Sequence, residues 1–205
     1  MRRCPENPTA TPIPGPVPRP GAQNRSEGTP AFVENRRLDV LAVNRLGHAM
    51  YAPMFEDSGR PANFARFTFF NPRSTRFYRD WDWVANTTVA ILRTSAGRDP
   101  YDKDLSDLIG ELSTRSEEFR TRWARHNVRL HQTGLKHFHH PVVGDLALTF
   151  DALELAAAPG LRLIAYTAEP GSASEDALNL LASWAATLDQ GDQDEATTDT
   201  DARTR

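Results

Sequence analysis

The spacing of apolar residues changes along this chain, and that change restricts the fold more than any other feature. From residue 74 to 123, apolar side chains recur every three or four residues, the period of a helix with one buried face. From Val128 they alternate with polar ones, since Val128 and Leu130 flank Arg129 and precede His131. Alternation is the period of a half-buried strand. The chain therefore combines a helical region with a sheet.

Strands are predicted on both sides of the helical region. Residues 31–43 predict a hairpin of two short strands with a polar turn at 34–37. In the second strand, one face is predicted to carry Leu38, Val40 and Ala42. Three more strands follow the helices, separated by turns rich in Gly and Pro, at 135–140, 145–155 and 161–167. These segments predict an antiparallel sheet of about five strands.

The region between the strands divides into several helices. Asn44 suits the N-cap of a short helix that continues to about Tyr51, where Pro53 stops it. Residues 63–70 predict an aromatic-rich helix or turn, and residues 74–95 predict one long helix. Two further amphipathic helices follow, the first through Leu105, Leu108, Ile109 and Leu112, the second capped by Ser116 and burying Phe119 and Trp123.

The chain closes with another helix. Ser172 and Glu175 stand at the spacing of a capping box, and apolar residues then repeat at helical spacing at Leu178, Leu181, Trp184 and Leu188. A hairpin, a helical insert, three strands and a final helix predict an α+β fold of the PAS-like kind, in which the insert covers one sheet face. Such a fold often keeps a cavity between sheet and helices, where a small molecule binds.

The two ends differ from the part between them. Eight of the 15 prolines lie within residues 1–30, a density that favours extended chain over helix. Residues 191–205 carry five acidic side chains and no large apolar one, so neither end can build a core. We expect a disordered Pro-rich tail at 1–30, one domain at 31–190 and a disordered acidic tail at 191–205.

Composition excludes several classes of function. The chain has 24 basic and 27 acidic residues and a formal net charge of −3, so no basic field attracts nucleic acid. No apolar run approaches the roughly 18 residues of a membrane span, and the first residues do not form an export signal. Cys4 is the single cysteine, which excludes an intrachain disulfide. We expect a cytoplasmic protein that contacts neither nucleic acid nor membrane.

Five ordered segments carry a resemblance to a known family. They are RLDVLAVNRLGHAMYAPMF at 37–55, FYRDW at 77–81, GELSTRSEEFRTRWARHNVR at 110–129, HHPVVGDLALTF at 139–150 and YTAEPGSASEDALNLLASW at 166–184. Together they resemble the ligand-binding domain of MmyB-like transcription regulators. The resemblance implies a bacterial, PAS-like domain that holds a fatty acid or similar apolar ligand and follows a DNA-binding helix-turn-helix domain.

The chain departs from that family at its start. Where the family has its DNA-binding helices, residues 1–30 hold too many prolines for a three-helix unit. Either the chain lacks that unit, or its natural start lies upstream. We therefore expect a sensor domain without a DNA-binding head of its own.

The candidate polar end of a ligand pocket lies where the last helix of the insert meets the sheet. Trp123, His126 and Arg129 stand there, and an arginine or a protonated histidine suits an anionic head group. Asn44 and Tyr166 could add hydrogen bonds near the mouth. The alternative is structural for each: Trp123 as a core anchor, His126 at a helix end, Arg129 in solvent, Asn44 as a cap and Tyr166 at a core edge.

The candidate apolar walls of the pocket lie on the long helix and on the strands opposite it. They are Phe77, Trp81, Val84, Ile91, Leu146, Leu148 and Phe150. The same residues suit a close-packed core, and the sequence does not separate a lined void from a filled one.

The histidines form the last candidate site, since five of the six fall between residues 126 and 140. His137 and His139 share one side of a strand, and Asp145 can approach them across the hairpin, as a metal site needs. The alternative, which we favour, is a set of solvent-facing histidines without metal. No nucleophile stands in a recognisable catalytic setting, so we expect no enzyme and no cofactor, apart from a bound ligand such as a fatty acid.

Two functions lead on this interpretation, ahead of a third, an enzyme with a histidine-bound metal. In the first, a small apolar or amphipathic ligand binds the cavity and the domain acts as a sensor. In the second, the core is filled and the domain is a dimerisation or adaptor module that pairs with itself or with full-length regulators.

Overall fold

The fold is built on one antiparallel sheet of five strands. The computed structural model describes residues 28–56, 61–125 and 133–202, with side chains through residue 187. The strands are β1 (Ala31–Glu34), β2 (Val40–Val43), β3 (Thr133–His140), β4 (Gly144–Glu154) and β5 (Arg162–Thr167). Their order across the sheet is β2-β1-β5-β4-β3. The α+β expectation is confirmed, and the order is consistent with a PAS-like fold.

Eight helices are found in the described part of the chain. The helical insert between the hairpin and β3 contains α1 (Arg45–Met50), α2 (Ala52–Phe55), α3 (Phe64–Phe70), α4 (Ser74–Phe77), α5 (Trp81–Arg98), α6 (Lys103–Arg115) and α7 (Glu117–Ala124). Helix α8 (Ala173–Ala202) closes the chain.

The register of the sheet decides which side chains face the helices. Phe32 stands opposite Ile164 in the β1–β5 pair, and Phe150 stands opposite Tyr166 in the β4–β5 pair. All four are buried. Because side chains alternate along a strand, Lys136 of β3 lies on the same face, since its partner in β4 is two residues from Phe150. A lysine therefore points from the sheet toward the helical layer.

The turn of the β1–β2 hairpin places Leu38 in the core. Leu38 has a positive φ of 68°, and its N–H donates to the Asn35 carbonyl at 3.0 Å. The prediction that Leu38, Val40 and Ala42 share a strand face is wrong, because β2 begins only at Val40 and Ala42 is exposed. The left-handed turn directs Leu38 inward, and its burial offsets the strain of that conformation.

Asn44 fixes the junction between the sheet and the first helix. Its side-chain oxygen accepts hydrogen bonds from the N–H groups of Gly47 at 2.7 Å and Ala31 at 3.0 Å, while its amide donates to the Thr29 carbonyl at 2.8 Å. The predicted N-cap is confirmed. Helix α1 ends at Met50 with its C-cap at Tyr51, close to the predicted end. Pro53 then lies in the first turn of the separate helix α2, where its missing N–H is not needed.

The long helix predicted over residues 74–95 is divided in two. Helix α4 ends at Phe77 and α5 begins at Trp81, so the prediction of one continuous helix is wrong. Between them, Tyr78 forms a bridge to Phe138 and the Arg79 N–H donates to the His137 carbonyl at 3.1 Å. This segment covers the outer edge of β3, which would otherwise expose unpaired backbone groups.

The remaining insert helices agree with the sequence prediction. The segment at 63–70 is helical as α3, and α6 starts at an Asp102 cap whose side chain accepts from the Leu105 N–H at 2.9 Å. The Ser116 hydroxyl accepts from the Phe119 N–H at 3.1 Å, which confirms the predicted cap of α7.

The closing helix docks at one end of the sheet. The Ser172 hydroxyl accepts from the Glu175 N–H at 3.2 Å, and the Glu175 carboxylate accepts from the Gly171 N–H at 2.6 Å, which is close to the predicted capping box. Leu178 and Leu181 are buried, as predicted. Helix α8 packs against α1 and β4.

The limits of the domain at residues 31 and 190 stay a prediction. Residues 1–27 and 203–205 lie outside the described residues, as does the side chain of Leu188. No helix in the described part of the chain is both long and apolar enough to cross a membrane.

We expect replacement of Asn44 by alanine to lower the free energy of unfolding by about 1–2 kcal/mol, because it removes a helix cap, one hydrogen bond to Ala31 of β1 and one to Thr29 just before that strand. Urea unfolding measures this. The control is Asn179→Ala on the exposed face of α8, which should change stability by less than about 0.5 kcal/mol. Equal effects of the two substitutions would contradict the role of Asn44.

Candidate functional site

A cavity of about 60 Å³ lies between α5 and the helix-covered face of the sheet. One water molecule needs roughly 10–15 Å³ of such space, so this cavity is open but small. We call it the inner cavity. It is lined by Phe32, Glu34, Leu38, Tyr51, Phe64, Thr68, Tyr78, Val84, Thr87, Thr88, Ile91, Lys136, Phe150, Ala152, Arg162, Ile164 and Tyr166.

Aromatic rings form the floor and one wall of the inner cavity. The ring centres of Phe32 and Phe64 lie 4.6 Å apart, and the ring of Tyr51 meets Phe64 edge to face at 5.1 Å. Phe150 and Tyr166 contact each other across β4 and β5 at 6.4 Å. These spacings are those of well-packed aromatic clusters.

A chain of hydrogen bonds crosses one end of this cavity. The Lys136 ammonium donates to the Tyr166 hydroxyl at 3.2 Å, and the hydroxyls of Tyr166 and Tyr51 lie 2.8 Å apart. Burial raises the pKa of both tyrosines well above the ordinary value, so their hydroxyls stay protonated. The chain presents hydrogen-bond donors beside aromatic surfaces.

Lys136 is held over aromatic rings. Its Nζ lies 4.8 Å from the ring centre of Phe150 and 5.6 Å from that of Tyr166, both within cation–π range. Burial lowers the pKa of Lys136 to about 8, although the negative charge of Glu34 acts in the opposite direction. The attraction of Glu34 therefore offsets only part of the cost of burying the ammonium group.

Glu34 and Arg162 supply the other charges of the inner cavity. The Arg162 guanidinium donates to a carboxylate oxygen of Glu34, which is 6% exposed in its side chain. Burial raises the pKa of Glu34, and Arg162 and Lys136 oppose that rise. Two cations thus share one carboxylate, so the cluster carries an excess positive charge whenever Lys136 is protonated.

A second cavity of about 90 Å³ adjoins the first, and we call it the outer cavity. Ile91, Ala152 and Arg162 line both. The other residues of the outer cavity are Arg36, Thr94, Ser95, Arg98, Glu154, Gly160 and Leu161. The two cavities therefore follow α5 along the sheet toward the β4–β5 turn.

Four of the residues predicted as site residues meet in the inner cavity. Val84 and Ile91 of α5 line it, and Phe150 and Tyr166 face them from the sheet. Three of the four were predicted as apolar walls and Tyr166 as a polar contact, and the structure brings them together as that prediction required. Whether they contact a ligand stays a prediction.

The other predicted walls line neither the inner nor the outer cavity. Phe77 is packed among aromatic rings, with Tyr78 at 5.1 Å and Phe138 at 5.4 Å. The Trp81 indole donates to the Thr68 carbonyl at 3.1 Å. The remaining two predicted wall residues, Leu146 and Leu148 of β4, are buried and fill the core.

The predicted polar end is not assembled in the described residues. Trp123 stacks on Phe119 at 5.5 Å and lies under the Arg93 guanidinium, whereas Asn44 uses its amide on backbone groups at the sheet edge. Neither lines the inner cavity with Tyr166. His126 and Arg129 lie outside the described residues.

Sequence reasoning missed the three charged residues of the inner cavity. Glu34 was placed in the hairpin turn, but it is the last residue of β1 and shares the inward phase of Phe32. Lys136 likewise shares the phase of the buried Phe138. The sequence signal for this site was a charged residue in phase with the buried residues of an alternating strand. A charged strand residue is usually taken to face solvent, so this signal was not used.

The histidines of β3 pair with single acidic residues. His137 Nδ1 lies 2.7 Å from Asp80, and His139 Nδ1 lies 2.7 Å from Asp145. The buried His140 contacts the Ala49 carbonyl through Nε2 at 3.1 Å. No three metal-binding side chains gather within the described ranges, while His126 and His131 fall outside them.

Comparison with known proteins adds one match. The family model described as the MmyB-like transcription regulator ligand binding domain matches residues 24–181. No curated protein matches the chain at a significant level.

The lowered pKa of Lys136 predicts a dependence of stability on pH. Between pH 8 and about 10.5, the unfolded chain binds the Lys136 proton and the folded chain does not, so Lys136 contributes a rise with pH to the free energy of unfolding in that window. Toward its upper end the raised pKa values of the buried Tyr51 and Tyr166 act in the opposite direction, equally in the wild type and in the variants. The slope is at most about 1.4 kcal/mol per pH unit. Urea unfolding of the wild type and Lys136→Met across this window measures the difference.

Lys103→Met is the matched control, because Lys103 is exposed and pairs with Asp107. We expect the control to keep the rise with pH and Lys136→Met to lose it. A wild type and a Lys136→Met variant with parallel curves would show that Lys136 titrates as an ordinary lysine.

Proposed function

Since the chain belongs to the family of MmyB-like transcription regulator ligand-binding domains, we propose that it is a sensor that binds a small amphipathic carboxylate in the inner cavity. The family consists of regulator ligand-binding domains and is not an enzyme family. We further propose that the domain works in the bacterial cytoplasm and that the apolar part of its ligand rests on the aromatic walls.

The observation that carries this proposal is a cation that faces open space without a carboxylate of its own. Lys136 donates to a neutral hydroxyl, that of Tyr166, while Glu34 is engaged by Arg162. A charge in a partly desolvated site is costly unless it is paired. A ligand carboxylate beside Lys136 would pair it through a charge-assisted hydrogen bond, which is stronger than the neutral one it now makes.

The volume of the cavity bears on the length of the ligand. Drug-sized ligands occupy pockets of roughly 300–1,000 Å³, much more than the inner cavity of about 60 Å³. A short-chain carboxylate fits with small adjustments of Val84 and Ile91. A long fatty acid would need α5 to move away from the sheet, or its chain to run on into the outer cavity.

Ligand binding would act on the arrangement of α5 and the sheet. The inner cavity has α5 as its helical wall, and the ligand would favour the arrangement in which that wall fits around it. The size of the effect is limited by the difference in ligand affinity between the two arrangements.

Dimerisation is the second candidate function, and the outer face of the sheet favours it. Leu135 and Leu153 point away from the helical layer, and each is 54% exposed. A second copy or a full-length regulator would bury them. Multi-angle light scattering separates the cases: a stable dimer that binds none of the carboxylates below supports the dimerisation module over the sensor.

We expect short straight-chain carboxylates, from butanoate to decanoate, to bind the wild type with affinity that rises with chain length until the cavity is filled. Each buried CH₂ contributes about 0.8 kcal/mol, so affinity should rise several-fold per carbon at first. Calorimetric titration at constant ionic strength measures this, and mass spectrometry of solvent extracts of the purified protein identifies any acid that co-purifies.

Lys136→Met should weaken carboxylate binding about tenfold or more, because it removes the charged donor. Lys103→Met should bind as the wild type does, since Lys103 lies on the exposed surface. Equal binding by both variants, or no binding of any chain length to the wild type, would overturn the proposal.

A further inference from the structure

The outer cavity differs from the inner one in that arginines dominate its lining. Arg36, Arg98 and Arg162 all contribute to it, against the single carboxylate of Glu154. Arg162 is already paired with Glu34. The proposed function uses only the inner cavity, so the role of this second space is a separate question.

Arg36 is the residue that sets this cavity apart. Its Nε is buried and has no hydrogen-bond partner among the described residues. An unpaired buried donor on a charged group costs free energy, so such atoms are rare unless a water or ligand satisfies them. The guanidinium lies against Gly160, where an added Cβ would lie only 3.1 Å from Nε.

The hydroxyl groups that line the outer cavity already donate to backbone carbonyls, so the guanidinium groups are the side-chain donors left for a ligand. The Ser95 hydroxyl donates to the Arg36 carbonyl at 3.0 Å, and the Thr94 hydroxyl donates to the Ala90 carbonyl at 2.9 Å. Their single protons are therefore used. Arg98 lies 3.6 Å from Glu154, a pair in which both side chains are more than half exposed and which is therefore weak.

The charges of the lining give a net positive site. Glu34 pairs with Arg162 and Glu154 pairs weakly with Arg98, so the charge of Arg36 has no carboxylate partner among the residues of the cavity. The volume of about 90 Å³ is well above the roughly 10–15 Å³ that one water molecule needs, which leaves room for a carboxylate or a phosphate group. Guanidinium groups bind such oxyanions with two parallel hydrogen bonds.

We propose that the outer cavity is an oxyanion-binding site in which Arg36, assisted by Arg98, holds a carboxylate or phosphate group. The oxyanion can be a separate small ion or the second charged end of the ligand in the inner cavity. The two cavities adjoin, and at about 3.3 Å per residue the stretch of β4 from Phe150 to Glu154 spans about 13 Å.

The first test titrates inorganic phosphate into the protein at constant ionic strength. We expect saturable binding to the wild type, weakened about tenfold or more in Arg36→Gln and several-fold in Arg98→Gln. Arg120→Gln is the control, because Arg120 is exposed on α7. The same phosphate affinity in all three variants, or none in the wild type, would overturn the proposal. Should Arg36→Gln fail to fold, Arg98→Gln decides.

The second test separates the two sources of the oxyanion. Decanedioate is compared with decanoate on the wild type, Arg36→Gln and Lys136→Met. Tighter binding of the diacid that is lost in Arg36→Gln assigns the site to the far end of one ligand. Phosphate binding without an advantage for the diacid assigns it to a separate ion. Binding of neither acid, with phosphate still bound, removes the sensor proposal and keeps this one.

Discussion

The placement of one buried and two partly buried charged side chains against an aromatic layer is the constraint on which the interior depends. Glu34, Lys136 and Arg162 lie on the helix-covered face of the sheet, where each needs a partner at hydrogen-bond distance. Directional partners restrict how closely apolar side chains can pack around them. The space left between α5 and the sheet is thus a consequence of which strand positions carry charge.

Most of the fold could be predicted from the sequence because its signals are local. The alternation in β3 to β5 and the caps at Asn44 and Ser116 each act within a few residues. The misses come from long-range effects. Leu38 takes a positive φ because the core receives its side chain, and the break after α4 exists because Tyr78 pairs with β3 sixty residues later.

The site was predictable only in its apolar half. Val84, Ile91 and Phe150 follow from helical and strand periods, and they do meet at the inner cavity. The charged half could not be obtained in that way, because a lysine or glutamate in a strand is usually solvent-facing, and only the pairing of strands shows that Lys136 and Glu34 point inward. The sequence prediction instead placed the polar end of the pocket where the last helix of the insert meets the sheet.

NMR of the lysine side chains tests most directly whether Lys136 is the cation that faces the ligand, because the chain has only two lysines, Lys103 and Lys136. With ¹³C-labelled lysine, we expect one Cε signal to titrate near pH 8 and to move when octanoate is added, while the other does neither. Two signals that titrate together at the ordinary pKa of lysine, and that do not move with octanoate, would show that Lys136 is an ordinary solvent-facing lysine.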